Sequence, residues 1–454
     1  MVERADVVVL GMGPGGEDVA GRLAQAGLDV VGVEDRLVGG ECPYWGCVPT
    51  KMMIRAAHAL AEARRIPGLA GRAEVFPDWE PVARRIREEA TDDWDDRVAV
   101  ERFEGKGGRF VRGRGRLDGP GRVRVGDRLF EVSRAVVVAT GTAPAVPPVP
   151  GLVDLPYWTN REAVEAKDLP ASLVVLGGGA IGLELAQVFA RFGVRVSVVE
   201  AQPRLLPAEE PEAGALLAEV LGAEGIGVHT GARVASAARR GTDLALVLED
   251  GQVVAGERLL VATGRRAGLA SLGVGRVGLD EHAPFLSVDG HLRAAPGLWA
   301  VGDVTGVGAF THVAMYQAAI AAADILGHEV VAADYRALPR VTFTDPEVGS
   351  VGLSEAAARE RGLRVGTGLA RIPDSARGWI HKAGNEGLIK LVADTDRGVL
   401  VGATSAGPAG GEVLSMLTLA VHAEVPLDSL RRMIYAYPTF HRAVEDALRD
   451  LADG

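Results

Sequence analysis

The apolar positions of this chain fall in short β-branched blocks, and the first of them runs straight into a cluster of glycines. Ala5–Leu10 predicts a buried parallel strand. Gly11-Met12-Gly13-Pro14-Gly15-Gly16 follows at once, then a helical stretch to Gly27 and a second strand, Leu28–Val33, that ends on Glu34. Thr50–Arg65 is alanine-rich with helical spacing, and Met52 and Met53 suit its core side. Pro81–Phe103 predicts a charged amphipathic helix. Arg109–Val132 alternates glycines with short strands, as a β-meander does. Ala135–Gly141 is an apolar strand ending Ala139-Thr140-Gly141, and the proline-rich Ala143–Pro150 reads as an interdomain linker. Leu173–Leu176 and Val194–Val199 are strands again. Leu259–Gly264 repeats the earlier ending as Ala262-Thr263-Gly264, Leu298–Asp303 runs into Gly302-Asp303, and Thr311–Leu326 is a helix. From about Leu338 to Gly454 strands and two helices suggest a separate α+β domain.

The first glycine cluster is a G-x-G-x-x-G turn between strand and helix. Gly11 permits the tight turn, Gly13 lets a pyrophosphate approach the backbone, and Gly16 lets helix and strand pack closely. The helix N-terminus carries the anion, and Glu34 accepts from a ribose hydroxyl. One such turn is a weak signal in a chain with 60 glycines. The motif returns 166 residues on, where Gly177, Gly179, Gly182, Gly193 and Glu200 match Gly11, Gly13, Gly16, Gly27 and Glu34. Five positions at one offset predict two dinucleotide-binding units rather than two turns that merely pack.

Length and composition fit this. A chain of 454 residues predicts several domains. A net charge of −11 disfavours nucleic-acid partners, no apolar run reaches membrane-spanning length, and a cytoplasmic location is expected. Cys42 and Cys47 are the only cysteines, with four residues between them in Gly39–Lys51. In a reducing compartment a close pair reads as redox-active rather than as two core thiols, and no histidine cluster completes a metal site. Two dinucleotide units and one redox pair suggest a soluble hydride carrier on one unit and a resident flavin on the other. The pair follows the first unit, so the first is expected to hold the flavin.

In order and spacing these motifs resemble the pyridine nucleotide–disulfide oxidoreductases, the family of dihydrolipoamide dehydrogenase, glutathione reductase and mercuric reductase. The resemblance spans essentially the whole chain. It rests on Gly11–Gly16 with Glu34, Gly40–Lys51, Gly177–Glu184, Ala300–Asp303 and Val341–Gly352. It implies an α/β fold with two Rossmann-like dinucleotide-binding domains plus a C-terminal α+β dimerisation domain. The expected partition is 1–145 (FAD-binding, first part), 146–266 (NAD(P)-binding), 267–337 (FAD/central, second part) and 338–454 (dimerisation). The resemblance also implies a homodimer with FAD on the first unit, NAD or NADP on the second, and a small-molecule electron acceptor. Cys42 resembles the interchange thiol that meets substrate, and Cys47 the thiol facing the flavin. Lys51 and Glu184 resemble the ion pair beside the flavin on its nicotinamide side. FAD contacts are expected at Gly11, Gly13, Pro14, Gly15, Gly16, Glu34, Gly40, Glu41, Gly46, Gly115, Thr140, Gly141, Asp303, Phe310, Thr311 and His312. Asp303 also reads as a helix cap, and His312 equally as a structural histidine. Coenzyme contacts are expected at Gly177, Gly179, Ile181, Gly182, Glu200 and Gly264. A carboxylate at Glu200 accepts from the 2′-hydroxyl of NAD and repels the 2′-phosphate of NADP, which favours NADH; Arg204 is the nearby cation that would argue otherwise.

The sequence departs from the family at one place. Disulfide-reducing members carry His-Pro-Thr-x-x-Glu near the C-terminus, and this chain reads Tyr437-Pro438-Thr439-Phe440-His441-Arg442. Tyr437 stands for the acid–base histidine and Arg442 for the glutamate that orients it. A phenol donates a proton but is a poor base near neutrality. His441 and Glu445, four apart on the expected terminal helix, are a candidate displaced dyad. Mercuric reductases share the tyrosine but carry a C-terminal cysteine pair that this chain lacks. Tyr44 and Trp45, bulky residues between the cysteines, either line the acceptor entrance or pack. The expected function is hydride transfer from NADH via FAD to the Cys42–Cys47 disulfide and on to a thiol- or disulfide-type acceptor. The alternatives are a quinone-reducing or mercuric-reductase-like enzyme and an NAD-binding redox sensor.

Overall fold

The structure, a computed structural model, describes residues 2–453. The chain forms two compact units. The first comprises Met1–Thr50, Ala83–Ala145 and Gly264–Asp334. Its sheet runs in the order Arg293–Ala295, Leu298–Ala300, Arg128–Val138, Val2–Leu10, Val30–Glu34, Arg109–Arg112. Strand Val2–Leu10 lies between two parallel neighbours, so both its edges are paired, and a core covers each of its faces. Val7 and Val9 enter one core with helices Pro14–Gln25 and Thr311–Leu326; Val8 and Leu10 enter the other, with Leu117, Val123 and Phe130. The two-residue period of a strand explains that division, and two covered faces explain why the run is apolar throughout. The two helices approach closely because Gly15 has no Cβ; one built there would lie 3.2 Å from Ala314 Cβ.

Two expectations are corrected here. Pro81–Phe103 is not one helix. An α-turn Glu80–Arg85 passes into a π-turn Ile86–Ala90 and breaks, and a new helix runs Arg97–Glu104. Asp92, Asp93 and Trp94 are left-handed, with φ of 48°, 56° and 59°. The Thr91 hydroxyl donates to the Ile86 and Arg87 carbonyls, and the Asp96 carboxylate accepts from the Val38 N–H at 2.7 Å. Asp and Thr side chains compete here for backbone partners and end the helix, which an amphipathic count does not register. Likewise, the end of the meander and the strand after it are one element. Arg128–Val138 pairs antiparallel with Arg122–Val125 at one end and parallel with Leu298–Ala300 at the other.

The second unit comprises Lys51–Val82, Val146–Thr263 and Tyr335–Gly454. A parallel sheet runs Gly227–His229, Arg195–Val199, Ser172–Leu176, Arg258–Val261, beside a three-stranded antiparallel sheet. Helix Ala180–Arg191 stands 166 residues after Pro14–Gln25 at both ends, so the repeat holds in structure as in sequence. A five-stranded antiparallel sheet forms the C-terminal part, in the order Pro339–Thr342, Glu347–Gly352, Val399–Gly407, Leu388–Asp394, Val365–Arg371. Helices Gly410–His422 and Ala443–Asp453 cover it with Leu414, Leu417, Val444 and Leu448. These are the two expected helices; three six-residue helices, Glu355–Glu360, Ala376–His381 and Leu427–Arg432, were not read from the sequence. Among the described residues no helix is long and apolar enough to cross a membrane.

Candidate active site

The two glycine turns are built alike, bond for bond. In the first unit, the Gly11 N–H donates to Val33 O at 2.9 Å. Both Glu34 oxygens accept from backbone N–H groups, of Met12 and of Arg36, each at 2.9 Å. In the second, Gly177 donates to Val199 O at 2.9 Å, and Glu200 accepts from Gly178 and Gln202, each at 2.6 Å. Burial raises the Glu34 carboxyl above its ordinary value, and the two N–H bonds oppose that. The glycines divide by role. A Cβ on Gly16 would lie 1.9 Å from Gly11 O, and one on Gly182 would lie 2.3 Å from Gly177 O. These two serve the fold. A Cβ on Gly179 meets nothing within 4 Å, and one on Gly13 only Gly40 Cα at 4.0 Å. These two face open space at the start of a 12-residue helix, where a pyrophosphate fits.

The cysteine segment is fastened to the first turn. The Gly39 N–H donates to Met12 O at 2.7 Å, and Gly40, at φ +67°, packs against the Gly13 backbone. Cys42 lies in the short helix Glu41–Tyr44; Cys47 opens the helix Cys47–Arg65. Both are reduced. Hydrogen bonding to Cys47 pushes the Cys42 thiol well above its ordinary pKa, and burial adds to this. The proton of the reduced pair is therefore held on Cys42. Thr311, first residue of a 16-residue helix, reaches both sulfurs: its Oγ1 is 3.4 Å from Cys47 Sγ and it also hydrogen-bonds Cys42. Tyr44 does not line an entrance. It is 6% exposed, with its hydroxyl donating to Asp95 O at 3.4 Å, and burial raises its phenol to about 12. Trp45 packs obliquely against it, ring centroids 5.8 Å apart.

The other first-unit candidates frame a polar wall. Thr142 donates to Asp303 at 3.1 Å, and Arg265 donates to both the hydroxyl and the carbonyl of Thr142 at 2.8 Å. Burial raises the Asp303 carboxyl, which Arg265 and Thr142 counter. Arg265 also stands 3.8 Å from Glu41. Thr142 and Arg265 were missed in the sequence, although each directly follows an Ala-Thr-Gly strand ending. Thr140 is exposed, and a Cβ on Gly141 would meet open space. Phe310 and His312 stack at 5.2 Å. Gly115 packs its Cα against Leu10 and Val33, so it has only its backbone to offer a ligand.

In the second unit Lys51 and Glu184 meet at 2.8 Å. Phe343 holds both: its N–H donates to the other Glu184 oxygen at 2.8 Å, and its ring lies 4.6 Å from Lys51 Nζ. Ile181 is exposed beside the second glycine turn. Arg204 is turned to the carbonyls of Pro207 and Glu209, at 2.8 and 3.2 Å. At the C-terminus, Tyr437 is exposed and Arg442 lies over its ring at 5.4 Å. The displaced dyad does not form within the chain. His441 sits in a 3-10 turn ahead of the terminal helix, beside the Tyr435 ring, while Glu445 pairs with Arg442 at 3.0 Å and Arg449 at 3.7 Å. Among the described residues no cluster suited to a metal ion is present.

Residues 5–318 match the family model for pyridine nucleotide-disulphide oxidoreductases, and residues 338–448 match that family's dimerisation domain. The chain belongs to this family. It is similar to a dihydrolipoyl dehydrogenase of Thermus scotoductus, at 32% identity over 98% of this chain and 97% of the relative. It is also similar to a mercuric reductase of Streptomyces lividans, at 34% identity over 97% of this chain and 94% of that one. Among solved structures, a copper(II) complex of the HOCl-induced flavoprotein disulfide reductase RclA from Escherichia coli superposes with a TM-score of 0.85. Identity there is 25%, covering 98% of this chain and 99% of that one. The protein is accordingly an FAD-dependent enzyme using pyridine nucleotide and a disulfide. The open face at Gly13, the carboxylate fixed at Glu34 and the clear space at Gly141 suit the flavin dinucleotide.

Proposed function

We propose that this enzyme is a homodimeric, NADH-dependent disulfide reductase whose acceptor is a thiol-reactive species taken up by Cys42. Glu200 carries the coenzyme assignment. It is 9% exposed, with both oxygens tied to backbone N–H groups, so it offers a fixed negative acceptor to a ribose diol and repels a 2′-phosphate. Arg204 keeps its charge, but its Nη2 is turned to the backbone carbonyls of Pro207 and Glu209.

Gly11, Gly13, Glu34, Thr140, Gly141 and Asp303 would hold FAD, which when bound accepts hydride from the nicotinamide and delivers two electrons to the disulfide. Lys51 and Glu184 would orient the nicotinamide side. Reduction of the pair breaks one S–S bond and leaves one proton and one negative charge on two sulfurs. The hydrogen bond keeps the proton on Cys42, and the charge falls on Cys47, at the opening of one helix and beside the first residue of another. Transfer to a disulfide acceptor then requires Cys42 to lose its proton and attack sulfur. That attack breaks the acceptor's S–S bond and releases its first thiol, and Cys47 then displaces the second from Cys42, restoring the protein's S–S bond.

Similarity to a mercuric reductase and to the copper-bound RclA puts thiol-binding metal ions beside disulfides in the acceptor panel. The test compares wild type, Cys42→Ser and Cys47→Ser with lipoamide, glutathione disulfide, mercuric ion, cupric ion and a quinone. Turnover of a disulfide or metal acceptor that Cys42→Ser abolishes supports the reading. Undiminished turnover of every accepted substrate by Cys42→Ser excludes it. A kcat/KM for NADPH equal to that for NADH removes the coenzyme assignment.

A further inference from the structure

The second unit contains a buried charge cluster that the proposed chemistry does not use. Asp345, 7% exposed, accepts at one oxygen from Arg191 at 2.8 Å and from Arg65 at 2.7 Å. Gln187, 2% exposed, grips its backbone at two points: the Asp345 N–H donates to Gln187 Oε1, and Gln187 Nε2 donates to Asp345 O, both at 2.8 Å. Behind Arg191, Glu224 pairs with Nη2 at 2.6 Å and Nε at 3.0 Å. Burial alone would raise the Asp345 carboxyl, but the two arginines outweigh it and hold it below the ordinary range, so it stays ionised. Burial lowers His58, which also faces Asp345 and both arginines, so it adds no third positive charge at neutral pH.

The cluster has a direction. Two residues before Asp345 stands Phe343, whose N–H and ring hold Glu184 and Lys51. Glu184, Gln187 and Arg191 lie three and four residues apart on one helix, and Lys51, His58 and Arg65 lie seven apart on another. Both spacings put each set on one helical face. Two faces thus clamp one short segment, by its carboxylate at Asp345 and by its N–H and ring at Phe343. Lys51 is partly exposed, so the ion pair to the buried Glu184 alone would fix its long side chain little.

Resting on the assignment of Lys51 and Glu184 to the hydride step, we propose that Asp345 is a positioning residue: clamped by Arg65, Arg191 and Gln187, it sets the Phe343 N–H and ring that hold the Lys51–Glu184 pair. The test uses the holoenzyme for rapid-mixing reduction by NADH and the full-length chain for lysine acylation mapped by mass spectrometry. Only five lysines are present, Lys51, Lys106, Lys167, Lys382 and Lys390. Asp345→Asn is expected to slow flavin reduction at saturating NADH by about 10–100-fold, the range for a displaced catalytic group. It should also raise Lys51 acylation at least about threefold, leaving Lys106 and Lys167 unchanged. Glu184→Gln should slow reduction similarly, and the double variant should be no slower than the slower single one, as coupled residues behave. Arg65→Gln, which keeps the Arg191 contact, should give a smaller change of the same sign and serves if Asp345→Asn does not fold. Wild-type reduction and Lys51 labelling in both Asp345→Asn and Arg65→Gln, with Glu184→Gln slow, overturns the positioning role alone. Wild-type reduction in Glu184→Gln overturns the hydride-step assignment, and the positioning role with it.

Discussion

Substituting the two glycines of the second turn separates folding from binding within one motif. Gly182→Ala places a Cβ 2.3 Å from Gly177 O, while ordinary contact begins at 3.4 Å, so backbone must move by about 1.1 Å. Overpacking of that kind costs about 1–3 kcal/mol, with the upper end expected because the obstacle is backbone. Gly179→Ala meets nothing within 4 Å, and its φ of −86° and ψ of 179° suit alanine. The gain of about 0.4–1 kcal/mol from a stiffer unfolded chain offsets a comparable loss from alanine at a helix N-cap. Its melting temperature should therefore stay near wild type. The added methyl occupies the space assigned to the pyrophosphate. Losing charge-assisted hydrogen bonds of about 1.5–3 kcal/mol raises the Kd for NADH by about 10–100-fold. Scanning calorimetry and an NADH titration of each variant measure the two effects. Native NADH affinity in Gly179→Ala would refute the placement of the coenzyme on this turn.

Turnover of a disulfide acceptor should climb with pH above neutrality, by up to about tenfold per unit, because the Cys42 proton must leave. Tyr437→His is expected to flatten that profile and raise the rate near pH 7 by about 10-fold or more, read from initial rates across pH. Lys390 is 5% exposed among Glu210, Glu212 and Glu355, at 2.9, 2.7 and 3.0 Å; Lys390→Met strands the buried Glu210 carboxylate and should cost about 3 kcal/mol in a urea melt. Tyr44 and Tyr435 are both raised to about 12 by burial, against about 10 unfolded. A phenol raised on folding stabilises fully below the unfolded value and loses that contribution as pH rises from 10 to 12. Tyr44→Phe should therefore lessen the alkaline fall in melting temperature over that window.

What the sequence made legible is what backbone geometry demands locally. Gly11, Gly16 and Glu34 act within 23 residues, and their recurrence at Gly177, Gly182 and Glu200 needed no tertiary knowledge. The acid pair partner of Lys51 came from resemblance, and the structure brings the two together at 2.8 Å. Asp345 was legible only as part of a motif, because its partners Arg65 and Arg191 lie 280 and 154 residues away and no local pattern announces them. The break at Asp92-Asp93-Trp94 escaped for the opposite reason: the amphipathic period continues through it, while side-chain hydrogen bonds decide the backbone. Tyr44 escaped because a bulky residue between two reactive cysteines reads equally as lining and as core.

The fastening of Glu200 has a kinetic consequence. A soluble coenzyme must arrive and depart in every cycle, whereas a resident cofactor enters once. With the coenzyme placed as proposed, an acceptor already fixed by Gly178 and Gln202 would need no rearrangement when the ribose arrives. Little ordering entropy is spent on entry and none has to be recovered on exit. With the coenzyme on this turn as proposed, recognition there would be that of a rigid template, and the coenzyme could be turned over quickly without becoming trapped.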